Sequence, residues 1–221
     1  IHRRVDGIIF VDVIVSDEEL AALAEQSMVI VSVGHELPSV TSVGIDDVEV
    51  GRLAAQHLLD LGHRRIGLIN GTGTIPFLVP HQRQLGFEQA MRVAGVEPDP
   101  SLYVAGDFTI QDGADALRTL LAHNDPPTAI FSFADEMAFG VILAARELGV
   151  RIPEDLSLIG VDDHDVAPVV GLTTVHQDVD DHGARAARLV VDQLERGSST
   201  VMTGAAPVRI VVRRTTGPPP Q

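Results

Sequence analysis

The chain contains no cysteine in 221 residues, which removes a disulfide scaffold, a thiolate metal site and a catalytic thiol, and leaves the redox compartment undetermined. Lysine is absent as well. Every basic residue is arginine, a bias read here as genome composition rather than function. Positive charge is scarce: 16 basic residues stand against 31 acidic ones, for a net charge of -15 at pH 7. Such a surface repels phosphate backbones, so the chain by itself is not expected to bind DNA. No apolar run approaches the roughly 20 residues that span a bilayer. The start, IHRRVDGIIFVDVIVSDEE, lacks the charged, apolar and small-residue order of a secretory signal. A cytoplasmic protein without a membrane partner is expected. Catalytic motifs are missing too. Gly71-Thr72-Gly73 follows a strand pattern, but Pro76 stands where a dinucleotide fingerprint needs its third glycine, and there is no Gly-Lys-Ser/Thr phosphate loop. No Gly-x-Ser-x-Gly elbow and no zinc-binding helix pair occurs, and His176 and His182, six apart, do not share a helix face. No enzyme activity, cofactor or metal is expected, and both histidines read as solvent or packing residues.

What the chain does have is 45% hydrophobic residues in an alternating order of β-branched runs and amphipathic stretches. Val5–Val15 and Met28–Val33 read as strands around an acidic, Ala/Leu-rich helix. Asp46 or Asp47 is placed to cap a helix that Gly62 ends, before a strand from Arg65 to Asn70. Helices at Pro80–Ala94, Ile110–His123, Ala134–Leu148 and Val179–Arg196 alternate with strands at Leu102–Val104, Thr128–Phe133, Ser157–Val161 and Val208–Val212. Thr173–Val175 reads as a short extended piece, too brief for an ordinary strand. Buried strands separated by helices predict the doubly wound α/β architecture, whose ligands sit at the carboxyl ends of strands. The strand count exceeds one short open sheet, so two lobes are expected. The abrupt first strand suggests further residues upstream, and the prolines of Gly217–Gln221 read as a frayed end.

Four strand ends concentrate polar chemistry. Asp162 and Asp163 follow the run LSLIGV, where a carboxylate can accept bonds from ligand hydroxyls or can simply form an Asx turn. Asp135, at a strand-to-helix junction, is either a ligand acceptor or an acid favoured by the helix dipole. Arg83 falls in the predicted first helical turn after Asn70–Thr74, where a cation opposes the dipole, so a ligand or carboxylate clamp competes evenly with a structural role. Gln177 and Asp178 lie between an extended stretch and a helix, as at a crossing between lobes.

These pieces in this order resemble the effector-binding region of the LacI/GalR regulators, over essentially the whole chain. The resemblance is carried by Val5–Ile9, Val43–Asp46 with Gly51, LLDLGHRRI at 58–66, and Arg83 with Gly86 and Phe87. It continues through TAIFSFADEMAFG at 128–140, GVRIPEDLSLIGVDD at 149–163, GLTTVHQD at 171–178, Gly183–Leu194 and RIVVRRTT at 209–216. It implies two Rossmann-like lobes of the periplasmic-binding-protein type, with parallel sheets flanked by helices and a small molecule in the cleft. Residues 1–45 and 178–197 would form an incomplete N-terminal lobe, and 46–177 with 198–221 the C-terminal lobe. Arg83, Asp162 and Gln177 match positions that contact ligand. Asp135 follows a position where many members carry Asn and this chain carries Ala134. Phe77, Leu78 and Val79 stand where sugar-binding members often have a polar residue, and His35 lies on a loop facing the cleft. The resemblance therefore implies a hydroxyl-bearing effector, a sugar or a less polar relative of one. For His35 a plain surface-loop histidine is the competing reading. The resemblance also implies a homodimer using the helix that carries Met137, Val141 and Leu143, residues that core packing explains equally well. Operator DNA would be bound only through a headpiece this chain does not contain. A solute-binding protein of a sugar transporter shares the fold, but the PED-x-S-x-x-G-x-DD and LTT-x-x-Q wording is closer to repressors. An enzyme on a doubly wound sheet lacks a nucleophile, metal set or phosphate loop.

Overall fold

The computed structural model describes residues 5–13, 15–34, 36–71, 78–197 and 201–220. In chain order the elements are β1 (Gly7–Val11), α1 (Asp17–Glu25), β2 (Val29–Val33), β3 (Thr41–Ile45), α2 (Asp47–Asp60), β4 (Ile66–Gly71) and α3 (Leu78–Val93). After a 3-10 turn at Pro100–Leu102 come β5 (Tyr103–Gly106), α4 (Ile110–Leu121), β6 (Ala129–Ser132), α5 (Asp135–Leu148), β7 (Ser157–Asp162) and α6 (Ala167–Val170). The chain closes with β8 (Thr173–His176), α7 (Val179–Arg196), β9 (Thr203–Ala206) and β10 (Arg209–Val211). Among the described residues no helix is long and apolar enough to cross a membrane.

The chain divides into two compact units, with boundaries at 46/47, 177/178 and 207/208. The first is built on a parallel sheet in the order β1-β2-β3-β9. Val31, Val33 and Val43 alternate onto one face and bury against Ala186 of α7, with Leu189 and Val190 packed alongside. Helix α1 starts where it does because Ser16 and Glu19 form a capping box, each side chain satisfying the other's free backbone N–H.

The second unit has six strands in the order β10-β8-β7-β6-β4-β5. All neighbours run parallel except β10, which lies antiparallel on β8. Strands β6 and β7 are buried along nearly their whole length, which is why they read as unbroken apolar runs. An aromatic cluster fills the core: Phe87 stacks on Phe131 at 6.0 Å, and Phe131 meets Phe133 at 4.9 Å. The flanking helices approach closely through glycines. A Cβ on Gly51 would stand 1.9 Å from the Arg83 carbonyl oxygen and one on Gly86 1.9 Å from that of Val48, so α2 and α3 touch backbone to backbone.

Three features depart from the sequence reading. Thr173–His176 is a full member of the sheet, hydrogen-bonded to β7 on one side and β10 on the other; burial on both sides compensates for its brevity. Strand β10 runs antiparallel, whereas parallel sheets were expected throughout. Strands β3 and β9 are absent from the sequence reading, and the ladder between them places residues 203–206 in the first unit rather than with the C-terminal lobe.

Candidate functional site

Asp135, Asp162, Asp163 and Gln177, singled out in the sequence, gather at the carboxyl edge of the six-stranded sheet. Chain geometry puts them there, since β6, β7 and β8 run parallel and each delivers its following residues to the same edge. After β6 come Phe133, Ala134 and Asp135; β7 ends on Asp162 and is followed by Asp163; β8 is followed by Gln177.

Asp162 and Gln177 are brought together: the Gln177 side-chain amide donates to a carboxylate oxygen of Asp162. Both residues are part-buried. The backbone at this turn is unusual, with φ of 114° at Asp162 and 60° at Asp163, in the region that glycine prefers. Asp163 is neither a helix cap nor a solvent turn residue. Its carboxylate accepts from the Arg213 guanidinium at 2.6 Å and pairs with His176 Nδ1 at 3.1 Å, while its N–H donates to Thr174 Oγ1. His176, expected to be a packing or solvent histidine, is thus part of the turn.

Arg83 lies in the second turn of α3, not the first, because the helix begins at Leu78. It is buried at 7% exposure. Its Nε donates to the Asp47 carboxylate at 2.8 Å, and Nη1 donates to the Phe133 carbonyl just past β6. The clamp on a carboxylate is therefore present, with a protein carboxylate inside it. Such a pair is sustained by good geometry and extra hydrogen bonds, and removing one member would strand the other's charge.

Asp135 is fully buried. Both its oxygens are engaged, Oδ1 by the Thr174 hydroxyl at 2.8 Å and Oδ2 by the His164 N–H at 2.9 Å. Burial pushes its carboxyl up to about 7 against the pull of those two bonds, and the neighbouring Asp162 and Glu136 charges add to the rise. The structure gives Asp135 the work of joining α5 to β8 and to the turn after β7. Ala134 is the N-cap of α5, 4% exposed and without a side-chain cap bond. Val79 lies in the first turn of α3 with its side chain outside the description, and Phe77 and His35 lie outside the described residues. Of the helix assigned to the dimer contact, Met137 and Val141 are core residues at 0% exposure, and only Leu143, at 54%, faces outward.

In the sequence Asp47 reads only as a possible helix cap, His176 only as a solvent or packing histidine, and Thr174 and Arg213 only as members of longer motifs. Each matters through a partner distant in sequence, which no local pattern announces.

A family model described as a periplasmic binding protein-like domain matches residues 55–216. The HTH-type transcriptional regulator DegA of Bacillus subtilis is 38% identical over 225 residues, covering 98% of this chain and 66% of DegA. The HTH-type transcriptional repressor CytR of Escherichia coli is 38% identical over 162 residues, covering 72% of this chain and 46% of CytR. Among solved structures, a transcriptional regulator CelR–cellobiose complex matches with a TM-score of 0.87 and 31% identity, covering 96% of this chain and 66% of that one. A LacI family transcriptional regulator from Enterococcus faecium with bound ribose matches with a TM-score of 0.89 and 30% identity, covering 97% and 80%. The chain spans about two thirds of the length of DegA and under half that of CytR.

Proposed function

This chain belongs to the LacI/GalR family, as an effector-binding region of the periplasmic-binding-protein-like fold, and from that premise we propose that it senses a small hydroxyl-bearing molecule for a DNA-binding transcriptional repressor. The observation that supports this most is the pairing of Asp162 with Gln177 at adjacent strand ends. An acceptor carboxylate beside an amide that offers both donor and acceptor suits a ligand hydroxyl, which needs both. Sugars are the leading class, because the similar CelR and Enterococcus faecium structures hold cellobiose and ribose. Ala134 supplies no polar group at its position, so the effector relies on Asp162 and Gln177, with Arg83 contributing from α3. Asp135 acts through Thr174 and His164 rather than on the ligand.

Effector binding regulates only by favouring one state of the intact repressor over another through differential affinity. The intact protein would work as a cytoplasmic homodimer, with Leu143 on the outward side of α5 in the contact, and would reach operator DNA through a headpiece outside this chain. The chain itself performs no chemistry on its ligand.

A thermal-shift screen against pentoses, hexoses, disaccharides and nucleosides tests this reading. A ligand at 100 times its Kd adds about 2.7 kcal/mol to stability. The informative variant is Asp162→Gly, because glycine accepts the φ of 114° while removing the carboxylate. Arg83 is a poor first choice, since its loss would leave Asp47 buried without its guanidinium. One ligand class is expected to raise the melting temperature of the wild type and not of Asp162→Gly; equal stabilisation of both would reject the site.

A further inference from the structure

Two consecutive non-glycine residues in the left-handed region are costly, and such a conformation persists only where its surroundings over-determine it. Here the surroundings are visible. Asp163 Oδ1 accepts from Arg213 Nη2 at 2.6 Å and Oδ2 meets His176 Nδ1 at 3.1 Å, so both oxygens are committed. Arg213 is itself anchored: its Nη1 donates to the Leu172 carbonyl at 2.8 Å and its backbone N–H to Thr173 Oγ1 at 2.9 Å. The guanidinium is thus fixed to the start of β8, and the Asp163 carboxylate cannot turn without breaking bonds to two charged or chargeable groups. The backbone is held as well, Asp163 N–H by Thr174 Oγ1 at 3.3 Å and His164 N–H by Asp135 Oδ2 at 2.9 Å. Asp163 and Arg213 are 14% and 17% exposed at their side chains, so solvent screens the pair little.

We propose that Asp163 and Arg213 are the positioning pair of the effector site: they do not meet the ligand, but hold Asp162 in the left-handed turn that keeps its carboxylate against Gln177 and preset for a ligand hydroxyl. This rests on the reading of Asp162 as a ligand contact and adds to it the groups that set its geometry. The gain is preorganisation. A carboxylate already fixed by its neighbours loses less freedom on binding than one on a mobile turn.

The test has one arm that needs no ligand. In the wild type the Gln177 side-chain amide, donating to a carboxylate, should show shifted and slowly exchanging protons by NMR. In Arg213→Met those signals should move toward the shifts of exposed glutamines and exchange at least ten times faster, with the rest of the spectrum retained. Arg213→Lys, which keeps the charge, should recover part of the wild-type signal. Asp163→Gly separates tether from strain: it permits the backbone angle but removes the contacts to Arg213 and His176, and should behave like Arg213→Met. If the Gln177 amide is unchanged in both Arg213→Met and Asp163→Gly, the turn supports itself and the proposal is overturned. If Arg213→Met does not fold, Arg213→Lys and Asp163→Gly carry the comparison. The second arm titrates D-ribose and cellobiose. A sugar that binds the wild type should bind Arg213→Met at least ten-fold more weakly, and equal affinity would overturn the positioning role. If neither sugar binds the wild type, the sugar-type reading of the site is weakened, while the amide arm still decides whether the pair positions Asp162.

Discussion

At Asp135 two hydrogen bonds and burial pull in opposite directions, and burial prevails: the carboxyl rises from its ordinary 3.8 to about 7. A group with a raised acid pKa binds more protons folded than unfolded, so its contribution is fully present below about pH 4 and is lost as pH rises toward 7. The loss across that window is on the order of 4 kcal/mol at one pKa unit per 1.36 kcal/mol. Urea denaturation of the wild type between pH 4 and 7 is expected to show this falling component, and Asp135→Asn to flatten it whatever its offset. An identical slope in the variant would assign the pH dependence elsewhere. At this scale the sequence was partly legible. Asp162, Asp135 and Gln177 stand beside strand ends, and a charged residue there invites attention. What could not be read was which carboxylate faces a neighbour and which faces outward. Asp135 is spent on Thr174, 39 residues away, and Asp163 on Arg213, 50 residues away, and no local pattern announces either partner. Arg83 drew notice as a cation against a helix dipole, and the answer to that anomaly is Asp47.

Between elements, the strongest packing constraint falls on glycines that face one another. A Cβ on Gly140 of α5 would stand 1.8 Å from the Ile110 carbonyl oxygen, and one on Gly113 of α4 would stand 1.9 Å from that of Met137. Neither obstacle is a flexible side-chain end, so α4 and α5 must separate to admit a methyl group. Gly183 of α7 has nothing within 4 Å of the same position. Gly140→Ala is therefore expected to destabilise by about 1–3 kcal/mol, and Gly183→Ala to stabilise by roughly 0.5–1 kcal/mol through helix propensity. Urea midpoints check the pair, and equal midpoints for the two variants would contradict the close-packing account. The helices and long apolar strands of the second unit were legible because periodicity and caps agree there. Strands β3 and β9 were not: Thr41–Ile45 and Thr203–Ala206 are short, rich in small or polar residues, and gain their strand character by pairing, β3 between β2 and β9, and β9 on β3. The antiparallel course of β10 is likewise a matter of partner, since RIV reads the same in either direction of pairing.

For the whole molecule, the balance of charge and the position of the site point to one division of labour. A chain carrying a net charge of -15 is a poor ligand for phosphate backbones, and the proposed recognition of a neutral hydroxylated molecule would depend on hydrogen bonds rather than net attraction. The fold class was legible from the alternation of elements alone, and the family from the ordered series of motifs. The effector was not, because its identity depends on side chains from several strand ends meeting in space. The most direct test of the central claim is a calorimetric titration of the best ligand from the screen into wild type, Asp162→Gly and Gln177→Leu. Saturable one-site binding to the wild type and at least ten-fold weaker binding to both variants are expected. Undiminished affinity in both would place the effector away from the carboxyl edge of the six-stranded sheet and contradict the assignment.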